Sequence, residues 1–215
     1  MLIIGAKGFA KEVLEVFFQN NEVNTIAFYD DVSNDLPSKL YNQFSIITSE
    51  DEAAKFFQET HNQFTIGIGN PVLRKKMAEK FIAIGGVFTS SISPFARIGN
   101  FNNTIGKGCN IMTGTIITND VTINEGVLIN LNCTVGHDCT IGAYVELSPG
   151  VHISGNCTIG DYSVFGTNAT LLPKINVGKN VIVGAGSVVT KDLPDNCIAV
   201  GIPAKIIKEV PPLEF

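Results

Sequence analysis

The chain has 215 residues, 45% of them hydrophobic, and a net charge of −5 at pH 7, enough to build the core of one or two domains. An acidic pI near 5.2 and the lack of any basic run argue against nucleic acid as a partner, and no apolar stretch approaches the ~20 residues of a membrane span. The opening "MLIIGAKGFAKEV" has too short an apolar run, and no basic segment before it, to read as a secretory signal, so the expected location is cytoplasmic. Five cysteines with no CxxC pair argue against a disulfide framework or a zinc knuckle.

Residues 1–85 alternate strand and helix patterns. "LIIGAKGFAKEVLEVFFQN" reads as a strand, a glycine turn and an amphipathic helix, and "TIAFYDD" as a strand ending in two carboxylates. "SIITSEDEAAKFFQET" is a strand followed by a helix capped at Ser49, and "QFTIGIGNPVLRKKMAEKFIAIG" a strand, a glycine-rich turn and a basic-faced helix. The order β-α-β-β-α-β-α predicts a small Rossmann-like α/β domain with a mostly parallel sheet. Gly5 and Gly8 fall at the first strand-to-helix turn, and Gly67, Gly69 and Asn70 at a second. Each is a tight turn with close helix packing, or a phosphate or sugar site at a helix N-terminus and at strand C-termini. Asp30 and Asp31 also end a strand; they accept hydrogen bonds from a nucleotide base or ribose, or they bind water. Fewer than ninety residues cannot supply both halves of a dinucleotide site, which argues against NAD.

Residues 86–215 follow a different rule. From Ile105 to Val189 an aliphatic or aromatic residue recurs every six positions, fourteen steps without a slip. A smaller series sits two residues earlier and includes Cys109, Cys133, Cys139 and Cys157. A period of six fits neither a helix nor a hairpin array and predicts a parallel β-helix. Side chains alternate along each short strand, so the large residue and the small one both point inward, and Gly or Asn takes the corner. Three hexads make one triangular coil, and coils stack about 4.8 Å apart, for roughly five coils. Cysteine in the small inward position acts as a small hydrophobe. Seven residues separate Ile98 from Ile105, which predicts an irregular first coil with one extra residue near Asn102. The period ends after Val189, and "CIAVG" with the tail from Ala204 is expected to cap the open end.

An α/β domain followed by an unbroken hexapeptide prism resembles the sialic acid O-acetyltransferase and nucleotide-aminosugar N-acetyltransferase family, which includes the bacillosamine- and perosamine-pathway enzymes. The resemblance rests on "IIGAKGFAKEV", "FYDD", "IGIGNPVLRKK", "VLINLNCTVGHDCTIG", "VHISGNCTIGDYSVFGTNATLLPKINVGKNVIVGAGSVVTKD" and "VGIPAK". It implies a left-handed β-helix, a homotrimer, and acetyl-CoA as co-substrate bound between neighbouring prisms. The implied reaction is acetylation of the 4-amino group of a UDP- or dTDP-linked 4-amino-4,6-dideoxysugar for a bacterial surface glycan. The alternative within the family is O-acetylation of sialic acid or another glycan sugar.

In "NCTVGHDCTIG", Val135 points inward, Gly136 takes the corner, and His137 and Asp138 lie on the outer surface just past it. Such a pair is a solvated turn or a functional group. The resemblance makes His137 the general base and Asp138 the residue that orients its imidazole. It also implies that the Gly155 N–H contacts the thioester carbonyl, that CoA runs past Thr167, Ala185 and Gly186, and that Asn130 contacts the acceptor. Glu146 stands where some relatives carry a second histidine, and is expected to accept from a sugar amine or hydroxyl; Phe9 stands where some carry a histidine near the substrate's diphosphate. His61 and His152 match nothing and are expected to be solvated. A zinc site of the β-helical carbonic anhydrase type needs three histidines, and only His137 and His152 lie in the prism, so no metal is expected. A non-catalytic trimeric platform is the remaining alternative.

Overall fold

The computed structural model describes residues 1–214. The N-terminal unit is built on β1 (Leu2–Ile4), whose three residues are buried between β2 (Ala27–Tyr29) and β5 (Gln63–Ile66). Outside these lie β4 (Phe44–Ile47), paired to β2, and β6 (Val87–Phe88), paired to β5; all these pairings are parallel. A two-residue strand, β3 (Lys39–Leu40), runs antiparallel to β4 and closes the edge. β3 and β6 lie outside the sequence expectation because two residues are too few to show alternation.

Three helices cover the sheet. α1 (Gly8–Gln19) buries Ala10, Val13, Leu14, Val16 and Phe17, an apolar stripe at helical spacing. α2 (Glu50–Glu59) starts as expected at Ser49, whose hydroxyl accepts from the Glu52 N–H at 3.3 Å while the Glu52 carboxylate accepts from Thr48 N–H at 3.1 Å. α3 (Pro71–Ala83) is capped by the Asn70 side chain, which accepts from Leu73 N–H at 3.0 Å, with Pro71 at the first helical position, where its missing N–H costs nothing. At Gly67 a Cβ would lie 2.5 Å from the Ala10 backbone, so only glycine lets α1 cross the end of β5 this closely.

The rest of the chain is a triangular prism of two-residue strands in three parallel stacks. The first face begins at Ser91–Ile92 and includes Leu128–Ile129, Glu146–Leu147 and Val164–Phe165; the second includes Thr134–Val135 and His152–Ile153; the third includes Thr122–Ile123 and Thr158–Ile159. Each residue pairs with its copy one coil on, as Asn110 with Leu128 and Leu128 with Glu146. The inward series from Ile111 to Val189 and every residue of the smaller series are buried. The small position does more than fill space. Its thiol or hydroxyl donates to a corner carbonyl of the next coil, as Cys133 Sγ to Ser148 O at 3.2 Å, Cys139 Sγ to Ser154 O at 3.1 Å and Ser163 Oγ to Gly178 O at 2.8 Å. These donors satisfy corner carbonyls from inside the prism.

In the first coil the extra residue is accommodated by Asn102 in the left-handed region (φ +53°) and by Asn103. The Asn103 side chain donates to Gly99 O and Thr118 O and accepts from Val121 N–H. At the far end Cys197–Gly201 pairs with the coil below, and Ala204–Glu209 folds back on it antiparallel. The α/β unit sits on the first face. There Leu128 packs with Val16 and Met112, the Asn110 amide donates to Thr65 Oγ1 at 3.3 Å, and Gln19 Oε1 accepts from Ser93 at 2.7 Å.

Phe165 has the largest of the fully buried inward side chains in the prism. Phe165→Ala is expected to destabilise the chain by about 3–5 kcal/mol in urea unfolding at fixed protein concentration. A loss under about 1 kcal/mol would mean that the coils close over the missing ring.

Candidate active site

A cavity of about 430 Å³ opens at the C-terminal ends of β1, β2 and β5, where ligands sit in open α/β sheets. Gly5, Gly8, Phe9, Asp30, Asp31 and Gly69 all line it, and Asn70 caps the helix that begins beside it. The two carboxylates differ. Asp30 ties turns together, accepting from Ser33 N–H at 2.9 Å, Val32 N–H at 3.2 Å, Ser33 Oγ at 3.2 Å and Ala6 N–H at 3.3 Å. Asp31 uses one oxygen to accept from the Tyr29 hydroxyl at 2.8 Å and from Lys80 Nζ at 3.1 Å. Burial pushes its carboxyl up, but these two donors outweigh that and hold it below its ordinary value. Lys80 also reaches Glu50 at 3.1 Å. Lys80 and Tyr29 were not expected at the site; the helix spacing leaves open which way a long basic side chain reaches.

His137 and Asp138 lie on the corner between the second and third faces. The imidazole is 62% exposed, and its Nδ1 is 2.6 Å from Asp138 Oδ2. A carboxylate only accepts, so Nδ1 carries the hydrogen and Nε2 of the neutral ring keeps a free lone pair. Asp138 takes this position in the left-handed region at φ +58°. The ring lies over Gly155 of the next coil: a Cβ there would be 2.6 Å from Nε2. Among the described residues the Gly155 N–H donates to no partner. The corner thus presents a base and a free donor side by side.

The remaining residues fall elsewhere. Thr167, Ala185 and Gly186 are stacked and exposed on the corner between the first and second faces, with Gly186 N–H donating to Thr167 O at 2.8 Å. Asn130 lies on the same corner, its side chain accepting from Leu131 N–H at 2.7 Å, and Phe9 packs into the cluster that includes Leu131. The α/β unit and its cavity sit on the first face, opposite the His137 corner. In one chain the His137 corner therefore lies away from both the cavity and the Thr167 corner, while Phe9 spans from the cavity to Leu131. His152 is on the second face, 3.0 Å from Thr134 Oγ1. His61 differs from the expectation of a solvated ring: it meets Thr25 Oγ1 at 2.8 Å and the Met1 nitrogen at 2.5 Å, with its ring edge-on to Phe56.

Glu146 sits on the first face directly beneath the pocket turn, where a Cβ on Gly69 would lie 3.5 Å from each of its carboxylate oxygens. Its partner is Arg74, 3.8 Å away. The "basic face" expected for α3 does not include Arg74, which is fully buried in line with Ala78 and Phe81. That spacing of four and seven was the available signal. Arg74 donates to Gly126 O at 3.1 Å, Tyr144 O at 2.6 Å, Val145 O at 3.0 Å and the carbonyl of Gly69. Burial pulls its pKa down to about 10, with Glu146 opposing, and burial raises Glu146 against the pull of Arg74. The guanidinium is thus held by four carbonyls as well as by Glu146.

Comparison with known proteins agrees with this architecture. The family description "PglD N-terminal domain" matches residues 1–81, and "Bacterial transferase hexapeptide (six repeats)" matches residues 156–191. No curated protein sequence matches the chain. Among solved structures, a variant of the perosamine N-acetyltransferase from Caulobacter crescentus, in complex with CoA and GDP-perosamine, is 29% identical over 97% of this chain and 96% of its own, with a TM-score of 0.89. The acetyltransferase domain of PglB from Neisseria gonorrhoeae, in complex with acetyl coenzyme A, is 31% identical over 96% and 98%, with a TM-score of 0.85. WeeI from Acinetobacter baumannii is 32% identical over 96% and 98%, with a TM-score of 0.87. The prism is the left-handed parallel β-helix of these proteins, and the chain belongs to the hexapeptide-repeat family of nucleotide-aminosugar N-acetyltransferases.

Proposed function

We propose that the chain transfers the acetyl group of acetyl-CoA to the 4-amino group of a nucleoside-diphosphate-linked 4-amino-4,6-dideoxysugar, with UDP or dTDP as the carrier, for a bacterial surface glycan. The observation that carries this reading is the His137 corner, where Nε2 of an exposed imidazole keeps a lone pair and Gly155, stacked against that ring, has a free N–H. The amine nitrogen attacks the thioester carbonyl and passes its proton to His137 Nε2. Asp138 holds the other ring nitrogen and favours the imidazolium that forms. The Gly155 N–H donates to the oxygen that gains charge. As the C–S bond breaks, the imidazolium returns the proton to the CoA sulfur, so the histidine ends neutral and no acyl-enzyme forms.

The nucleotide fits the 430 Å³ cavity. Its diphosphate would meet the glycine turn at the N-terminus of α1, beside Gly5, Gly8 and Phe9. Asp31 keeps one oxygen free for the base or ribose, Asp30 holds the turn, and Gly69 and Asn70 border the sugar end. Asn130 and Glu146, on the prism beneath, would meet the acceptor's polar groups. CoA would run along Thr167, Ala185 and Gly186, two of whose backbone groups already stack in register. The placing of the His137 corner opposite the face that carries the cavity supports a homotrimer whose sites lie between subunits. No described helix is long and apolar enough to cross a membrane.

The test is thiol release from acetyl-CoA against UDP-, dTDP- and GDP-linked 4-amino-6-deoxysugars; GDP is included because the Caulobacter relative binds GDP-perosamine. His137→Ala is expected to lower kcat about 100-fold or more with little change in KM. Unchanged turnover would remove His137 from the chemistry and leave proximity as the catalyst. Turnover only with sialic acid or another hydroxyl acceptor would replace N- by O-acetylation. Gly155→Ala makes a second check. Its Cβ must displace the exposed His137 ring, so kcat should fall about tenfold or more while the melting temperature stays near wild type. A fully active Gly155→Ala would show that the ring's seat over Gly155 is dispensable.

A further inference from the structure

Arg74 joins the two domains through a single planar group. Its Nε bonds Gly126 O, and its Nη2 bonds Tyr144 O and Val145 O, on two successive coils of the corner between the third and first faces. Its Nη1 bonds the carbonyl of Gly69, in the wall of the cavity, and faces Glu146 at 3.8 Å. Four carbonyls, three on the prism and one on the pocket turn, are thus read by one rigid fork, and Glu146 supports that turn from below. Lysine could not copy this: its ammonium is a point donor on a flexible stem, whereas the guanidinium fixes the angles between its bonds.

We propose that Arg74 is a positioning residue that sets the nucleotide pocket at a fixed height and angle on its prism, and so delivers the acceptor's amino group to the His137 corner. The inference rests on the acceptor class proposed above. Arg74 touches neither substrate. It acts through the Gly69 turn and, across the assembly, through the rigid prism, whose coils are locked in register from Asn110 to Val188. An attack geometry off by about 1 Å costs on the order of 100-fold in rate, so a tie that holds one turn to another domain has a kinetic signature separate from folding.

The experiment compares wild type with Arg74→Lys and Arg74→Gln. Nucleotide-pocket affinity and stoichiometry are read by calorimetry with UDP, dTDP and GDP, acetyl-CoA affinity from its KM, and kcat at saturation on the nucleotide-linked aminosugar. The expected result for Arg74→Lys is a kcat at least tenfold lower, with nucleotide Kd and acetyl-CoA KM within about threefold of wild type and one nucleotide still bound per chain. Arg74→Gln should lose more kcat by the same pattern. An unchanged kcat overturns the proposal. A loss confined to nucleotide affinity overturns it in favour of a pocket-shaping residue. Binding sites lost in step with kcat, or failure of both variants to fold, assign Arg74 to stability alone. Wild type that binds none of the three nucleotides sinks the acceptor class itself and this role with it, a result told apart because it needs no variant.

Discussion

The buried guanidinium of Arg74 is the constraint on which the relation between the two halves depends. An ionised group with no exposed surface is tolerated only where its surroundings satisfy it. Here its partners are backbone carbonyls at a prism corner and at a pocket turn, together with Glu146. Some corner carbonyls accept from the next coil, as Glu125 O from Tyr144 N–H, and others accept from inside the prism, from Cys133, Cys139, Cys157 and Ser163. The Gly126 and Tyr144 carbonyls accept instead from Arg74, so the α/β unit is attached at corner positions that those bonds leave open.

The same repeat explains how the His137 corner is built from ordinary parts. Stacking puts His137 one coil below Gly155 and 18 residues before it, so the imidazole's seat comes from the coil spacing and not from a dedicated loop. The corner bends through a left-handed residue, here Asp138, whose carboxylate is thereby brought 2.6 Å from Nδ1. The backbone N–H of Gly155 stays free because it lies between strands, outside the ladder. Support for the ring, its tautomer and a neighbouring donor follow from one geometric rule applied to "GHD" below and "SGN" above.

Much of this was legible in the chain itself. A period of six is a direct image of the stack, so the faces, the inward residues and the irregular first coil at Asn102 could be read from spacing; a closing strand and tail were expected where the period ends, but not that they pair as a hairpin. Gly5, Gly8 and Gly69 were readable as turn residues at strand ends, and they line one cavity. What was not legible is where long side chains reach. Arg74 and Lys80 share a run of basic residues on one helix, yet one crosses into the prism and the other ties Tyr29, Asp31 and Glu50 together. His61, far from any motif, meets the beginning of the chain. β3 and β6 are too short to leave a pattern. The distance between the His137 corner and the cavity at the strand ends is a three-dimensional fact about where the α/β unit sits on the prism.

The register of the prism also limits how such a chain can change in length. In the regular coils each residue stacks on another 18 positions away, so an inserted or deleted residue inside the repeat turns every later side chain out of phase, exchanging core for surface. Growth is quantised: the prism lengthens or shortens by whole coils, above the corner that carries His137, without moving it. The two ends are the exceptions: Asn102 and Asn103 absorb one odd residue in the first coil, and the last coil pairs at a spacing of 16, as Asn176 with Asp192. Variation in length among chains built this way should therefore come in steps of a full coil within the repeat and in single residues only at its two ends.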